Sequence, residues 1–126
     1  MSEKFHILLR DERFESYRAG DTIFEEGQAG DRMYAVRAGT VEIVRGEQLL
    51  ERVETGEVFG EMALIERGPR SAGARARTDC TVVPIDEKRF LFLVQQTPHF
   101  ALTLMKVFAD RLRRTTEKLP PPPARG

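Results

Sequence analysis

The chain has one cysteine, Cys80, two histidines and no tryptophan. A single cysteine excludes an internal disulfide and a cysteine-ligated iron–sulfur cluster. His6 and His99 lie far apart in sequence and cannot supply a multi-histidine metal centre by themselves. Cys80 has no recognisable base partner and reads as a small apolar residue. No enzyme and no catalytic cofactor are expected. No apolar run approaches the length that spans a bilayer. The start, Met1-Ser2-Glu3-Lys4, lacks the apolar stretch of a secretion signal. A cytoplasmic protein without membrane contact is the expectation. Twenty Lys and Arg balance twenty Asp and Glu, so net charge gives no footprint for DNA or an anionic surface.

What is there is a soluble, globular composition, 40% hydrophobic and 32% charged. The length suits one domain with its own core. From Phe14 to Ile85, short β-branched and aromatic runs alternate with turns. Thr22-Ile23-Phe24, Met33–Val36, Thr40–Val44, Leu49–Val53 and Thr81–Val83 read as strands. Glycines at 20, 27, 30, 39, 46 and 56 punctuate them. That spacing predicts a sandwich or barrel. The period then changes. Asp86 caps a helix running to Gln96, with Phe90, Leu91 and Val94 on one face. Thr97-Pro98 starts a second helix over His99–Leu119, which Pro120–Pro123 stop. The division is an N-terminal segment 1–13 with a short helix around Phe5–Leu9, a β-roll 14–85, helices 86–119, and a Pro-rich tail 120–126.

In the last helix Leu102, Met105, Ala109, Leu112, Thr116 and Leu119 recur at heptad a/d spacing. This stripe predicts a homodimer seam. Leu104 and Phe108 widen the apolar face toward the β-roll.

One segment carries chemistry. Phe59-Gly60-Glu61-Met62-Ala63-Leu64-Ile65 precedes Gly68-Pro69-Arg70-Ser71-Ala72. Arg70 offers a planar fork of donors for phosphate oxygens. Glu61 can accept from sugar hydroxyls. Met62–Ile65 suits one helical turn with N–H groups toward an anion. Val53, Phe59, Leu64 and Ala72 read as core or pocket wall. Arg75 and Arg77 share a strand face and read as solvated positions rather than a nucleic-acid patch.

This segment resembles the phosphate-binding cassette of cyclic-nucleotide-binding domains, in the family of catabolite activator and FNR-like regulators. The upstream turns Gly20-Asp21, Glu26-Gly27, Gly30-Asp31, Gly39 and Gly46 also fall where that family places them. The resemblance implies a double-stranded β-helix (jelly roll) followed by C-terminal helices, the last a dimerisation helix. It implies ligand contacts from Gly60, Glu61, Met62, Ala63, Arg70, Ser71 and Ala72, with Arg70 and Ser71 on the phosphate and Glu61 on the ribose 2′-hydroxyl. Gly73 departs from the family's usual Thr or Ala. The segment Ala109–Leu119 is similar to the dimer helix of catabolite-activator-type regulators, which implies that Thr115 contacts the base of its own chain and Thr116 that of the partner.

The function so implied is a regulatory sensor of cAMP, with cGMP the alternative because Ser71 could also accept from a guanine amino group. It would act through its C-terminal helices on an unidentified downstream protein. Another possibility is the sensor half of a transcription regulator whose DNA-binding domain is absent from this chain. Direct nucleic-acid binding is not expected, and a cassette that has lost its ligand is disfavoured by the presence of both Glu61 and Arg70.

Overall fold

The computed structural model describes residues 11–118, with side chains up to Arg114. The expected helix at Phe5–Leu9, Leu119 and the Pro-rich tail lie outside these residues. Eight strands form two four-stranded antiparallel sheets. In chain order they are β1 (Glu15–Tyr17), β2 (Thr22–Phe24), β3 (Arg32–Ala38), β4 (Val41–Arg45), β5 (Gln48–Val53), β6 (Val58–Phe59), β7 (Gly73–Ala76) and β8 (Cys80–Asp86). The sheets run β1-β8-β3-β6 and β2-β7-β4-β5. A one-turn helix α1 (Met62–Ile65) stands between β6 and β7, and α2 (Glu87–Gln96) and α3 (His99–Lys118) follow β8. This is the two-sheet roll and helical tail that the resemblance implied.

The β1-β8-β3-β6 sheet is covered on both faces, and its sequence shows why. In β3, Met33, Tyr34, Ala35 and Val36 are all buried. Tyr34 and Val36 point into the sandwich with Phe24, Val41, Val53, Phe59, Cys80 and Val82. Met33 and Ala35 point the other way, onto Leu93, Phe100 and Leu104 of α2 and α3. A strand buried on both faces needs an unbroken apolar run rather than alternation. Cys80 packs in the sandwich as an apolar residue, and burial pushes its thiol pKa up.

The other sheet has one covered face. Its outer face carries Arg75 and Glu42, directly opposite each other in register, and Arg52 opposite Glu42 on the far side. Arg77 joins them, its Nη1 3.3 Å from the Glu42 carboxylate.

Asp86 caps α2, accepting from the Arg89 N–H at 2.8 Å. The apolar face of α2 differs from expectation. Leu93 is the buried residue, Phe90 and Val94 are half-buried, and Leu91 is 57% exposed. The helix presents 90, 93 and 94 to the sheet, which turns 91 outward. Two strands, β1 and β6, were not expected. The first is the polar tripeptide Glu-Ser-Tyr and the second only two residues long, and both are held by register with a neighbour rather than by propensity.

The last helix separates two stripes. Phe100 and Leu104 are buried, and Val107 and Phe108 pack against the same core. Leu102, Met105 and Leu112 are 61%, 63% and 69% exposed, and Ala109 is exposed with them. In the single chain these four members of the heptad stripe therefore face away from the roll. Among the described residues no helix is long and apolar enough to cross a membrane.

Candidate functional site

The cassette begins where β6 ends. Gly60 has φ 75°, a conformation that side chains disfavour. A Cβ there would also lie 2.9 Å from Arg70 Nη1. Glu61 and α1 follow. Inside the turn, the N–H of Ala63 donates to the Gly60 carbonyl and that of Leu64 to the Glu61 carbonyl. Those two donors are therefore spent locally, contrary to the expectation of free N–H groups facing an anion. The Glu61 side chain makes no capping bond.

Arg70 is 8% exposed and sits on the cavity floor. Its Nη1 donates to the Gly60 carbonyl at 3.1 Å and its Nη2 to the Arg32 carbonyl at 2.8 Å. Its guanidinium carbon stands 4.0 Å over the Phe24 ring. Phe24, Tyr34 and Phe59 pack together beneath it, with centroids 5.2 to 6.0 Å apart. Burial lowers its pKa, but an arginine starts high enough to remain charged. The backbone of Arg70 is clamped by residues 27 and 28: its N–H donates to the Gln28 carbonyl, and its carbonyl accepts from the Gly27 N–H. Gly30 is packed so closely that a Cβ would lie 2.5 Å from Arg70 Nε. Two of the five guanidinium N–H groups thus serve the protein backbone, which fixes the orientation of the rest.

A cavity of about 300 Å³ opens over this floor. Gly60, Glu61, Met62, Ala63, Arg70, Ser71 and Ala72, the seven cassette residues expected from sequence, all line it. Ser71 is exposed, and its carbonyl accepts from Arg45 Nη2 at 3.2 Å. Thr115 and Thr116 belong to the backbone of α3, but their side chains lie outside the description.

Two charged lining residues, Arg111 and Glu51, link the cavity to the last helix and are not singled out by the sequence reading. Arg111, on the inner stripe of α3, pairs through Nη1 with the Glu61 carboxylate and donates through Nη2 to the Val58 carbonyl. Its Nε stands 3.4 Å from Glu51 Oε1 on β5, and Arg114 Nη2 meets the same oxygen at 3.3 Å. A guanidinium thus bridges two carboxylates of one cavity, 50 and 60 residues from it in sequence. A signal existed for each. Arg111 extends the apolar inner stripe 100, 104, 108 by one further step, where a cation is out of place. Glu51 shares the inward strand face with Val53. The loop after α1 is tied elsewhere: Arg67, at φ 42°, pairs with Glu87 at the start of α2. Among the described residues no cluster of carboxylates, histidines and cysteines could hold a metal.

A buried arginine and a carboxylate thus converge on one cavity beside a one-turn helix. The chain belongs to the cyclic-nucleotide-binding domain family, whose model matches residues 14–97. It is 34% identical over 105 residues to the CRP-like cAMP-activated global transcriptional regulator of Mycobacterium tuberculosis, covering 79% of this chain and 47% of that protein. The chain therefore spans about half the length of that regulator. It superposes on the Thermus thermophilus catabolite activator protein with TM-score 0.74 and 30% identity, covering 90% of this chain and 55% of that one. A further structure, from work on a cyclic-GMP-dependent signalling pathway that regulates bacterial phytopathogenesis, has TM-score 0.71 and 31% identity, with 80% and 85% covered.

Proposed function

We propose that the chain is a sensor of a purine cyclic mononucleotide, cAMP in the first instance, and that it passes occupancy of the cavity to its C-terminal helices. The observation that carries this reading is the convergence of Arg70, Ser71 and Glu61 on one cavity of nucleotide size. In this reading the remaining N–H groups of Arg70 and the Ser71 hydroxyl take the phosphate, and Glu61 takes the ribose 2′-hydroxyl. The relative activated by cAMP supports adenine as the base. Thr115 and Thr116 then contact it, one from each subunit of a homodimer formed on the exposed stripe of α3.

Transmission runs through Arg111. It joins Glu61 to α3, so a ligand that changes what Glu61 bonds also changes what holds the helix. A ligand shifts such an equilibrium only by contacts that differ between the two helix positions, and Glu61 is where that difference arises. Coupling to a downstream protein, or to a DNA-binding domain outside these residues, belongs to the same reading.

Calorimetric titration with cAMP and cGMP tests it. Binding at micromolar or tighter dissociation constants is expected. No heat and no thermal shift with either nucleotide would overturn the sensor reading.

A further inference from the structure

Arg70 is buried, yet it forms no ion pair among the described residues. Its terminal nitrogens donate to the Gly60 and Arg32 carbonyls. The carboxylates whose charge reaches it, Asp31 and Glu61, are each paired with another arginine, Arg32 and Arg111. Its Nε is withdrawn from solvent and meets no acceptor. A buried charge is costly unless it is compensated, and two carbonyls compensate this one only in part.

What lies beneath the guanidinium is the face of Phe24. The guanidinium carbon is 4.0 Å from the centroid of that ring and 5.9 Å from that of Tyr34. The negative face of an aromatic ring attracts a cation, and does so more strongly where water is excluded. Phe24 is itself fixed. It ends β2 opposite Ala74 in register, is 7% exposed, and packs on Tyr34 and Phe59. The turn that follows it supplies the Gly27 and Gln28 backbone groups that clamp Arg70. One strand end thus holds the arginine twice, by its backbone and by its charge.

The kind of support matters for the ligand. A carboxylate in the place of the ring would neutralise the guanidinium and compete with a phosphate for its N–H groups. A ring face carries no net charge and leaves the two terminal N–H groups not given to carbonyls free of competition.

We propose that Phe24 is a positioning residue for the phosphate-binding arginine, its ring face holding the guanidinium in place while leaving the positive charge uncompensated for the ligand's phosphate. The inference rests on the cyclic-nucleotide reading above. Phe24 acts through Arg70.

Phe24→Leu keeps an apolar side chain and removes the ring face. Calorimetric titration with cAMP should show affinity weakened by about fivefold or more. Phe24 also packs in the core, so two further measurements separate its effect on Arg70 from packing. The first is a double-mutant cycle. In an Arg70→Gln background, with residual affinity read at high cAMP concentration, Phe24→Leu should change binding by less than about twofold. The second is a trifluorinated phenylalanine at position 24, which keeps the shape of the ring and weakens its negative face. It should weaken cAMP binding by about twofold or more. If Phe24→Leu has the same effect in both backgrounds, or if the fluorinated protein binds cAMP as the parent does, the ring serves only the core and the inference is overturned. A parent chain that binds no cyclic nucleotide overturns the sensor reading itself and the inference with it, an outcome that titration of the unmodified protein tells apart from the other two.

Discussion

Glu61 and Arg111 form an ion pair across 50 residues of sequence, joining the cassette to the last helix. Both side chains are largely withdrawn from solvent, at 16% and 17% exposure. Arg111 also donates to the Val58 carbonyl and approaches Glu51, so it fastens α3 at three points of the roll.

Replacing Arg111 tests this fastening. Arg111→Gln leaves Glu61 partly buried without its cation, and the cost should be about 1–3 kcal/mol in urea unfolding. The pair itself is isolated by a double-mutant cycle with Glu61→Gln, for which a coupling of about 0.5–3 kcal/mol is expected. Hydrogen exchange should quicken in residues 99–114 more than in the sheets. Additive single effects would show that the two side chains do not hold the helix together.

The orientation of Arg70 depends on two glycines that touch its guanidinium. Arg70→Ala should weaken cyclic-nucleotide binding at least tenfold, or about 1.4 kcal/mol. It should also lower stability, since the Gly60 and Arg32 carbonyls lose their donors. Gly30→Ala separates positioning from charge. The arginine is kept, but the new Cβ would fall 2.5 Å from Nε, so the side chain must move. Calorimetry should show a loss of affinity approaching that of Arg70→Ala. Normal binding by Gly30→Ala would mean that the floor adjusts and that its geometry is not limiting.

Glu42 makes stability depend on acid. Burial pushes its carboxyl pKa up, but hydrogen bonds and charge from Arg75 and Arg77 outweigh this and hold it below the ordinary value of 4.5. A depressed folded pKa contributes stability that is fully present above the ordinary value and is lost as pH falls through the folded one. Unfolding free energy should therefore decline as pH drops below 4.5. Glu42→Gln should be less stable at neutral pH and should show a shallower acid decline. Parallel acid limbs for the two proteins would assign the decline to other carboxylates.

The parts legible in the sequence were those carried by local pattern. The Gly60-Glu61 and Pro69-Arg70-Ser71 pieces announce themselves by residue type and order, and the helices after Asp86 by capping and period. Residues whose roles arise from tertiary docking were not read. Arg111 is an ordinary helical arginine until α3 lies over the cassette, and Glu51 is an ordinary strand glutamate until β5 walls the cavity. The strand Glu15–Tyr17 has no apolar pattern to reveal it and exists because Thr81 and Val82 offer a register. Leu91 was misassigned because three apolar residues within five positions fit more than one helical face, and only the position of the sheet decides among them. The grouping of Arg75 and Arg77 on one face was correct, but the buried glutamate between them came from a different strand.

The exposed stripe of α3 gives a prediction separable from the fold. Leu112 is 69% exposed in the single chain, so Leu112→Glu should change monomer stability by no more than about 0.5 kcal/mol. In a dimer built on the heptad stripe, the same residue sits in the seam, where two glutamates would meet in an apolar interface. Light scattering should then find the variant at 14.4 kDa and the parent chain at twice that mass. The inner stripe supplies the control. Leu104 is 4% exposed and belongs to the core of the roll, so Leu104→Ala should cost about 2–5 kcal/mol of folding stability. Were Leu112→Glu to remain dimeric, the seam would lie on another surface, and a contact between Thr116 and the partner's base would fall with it.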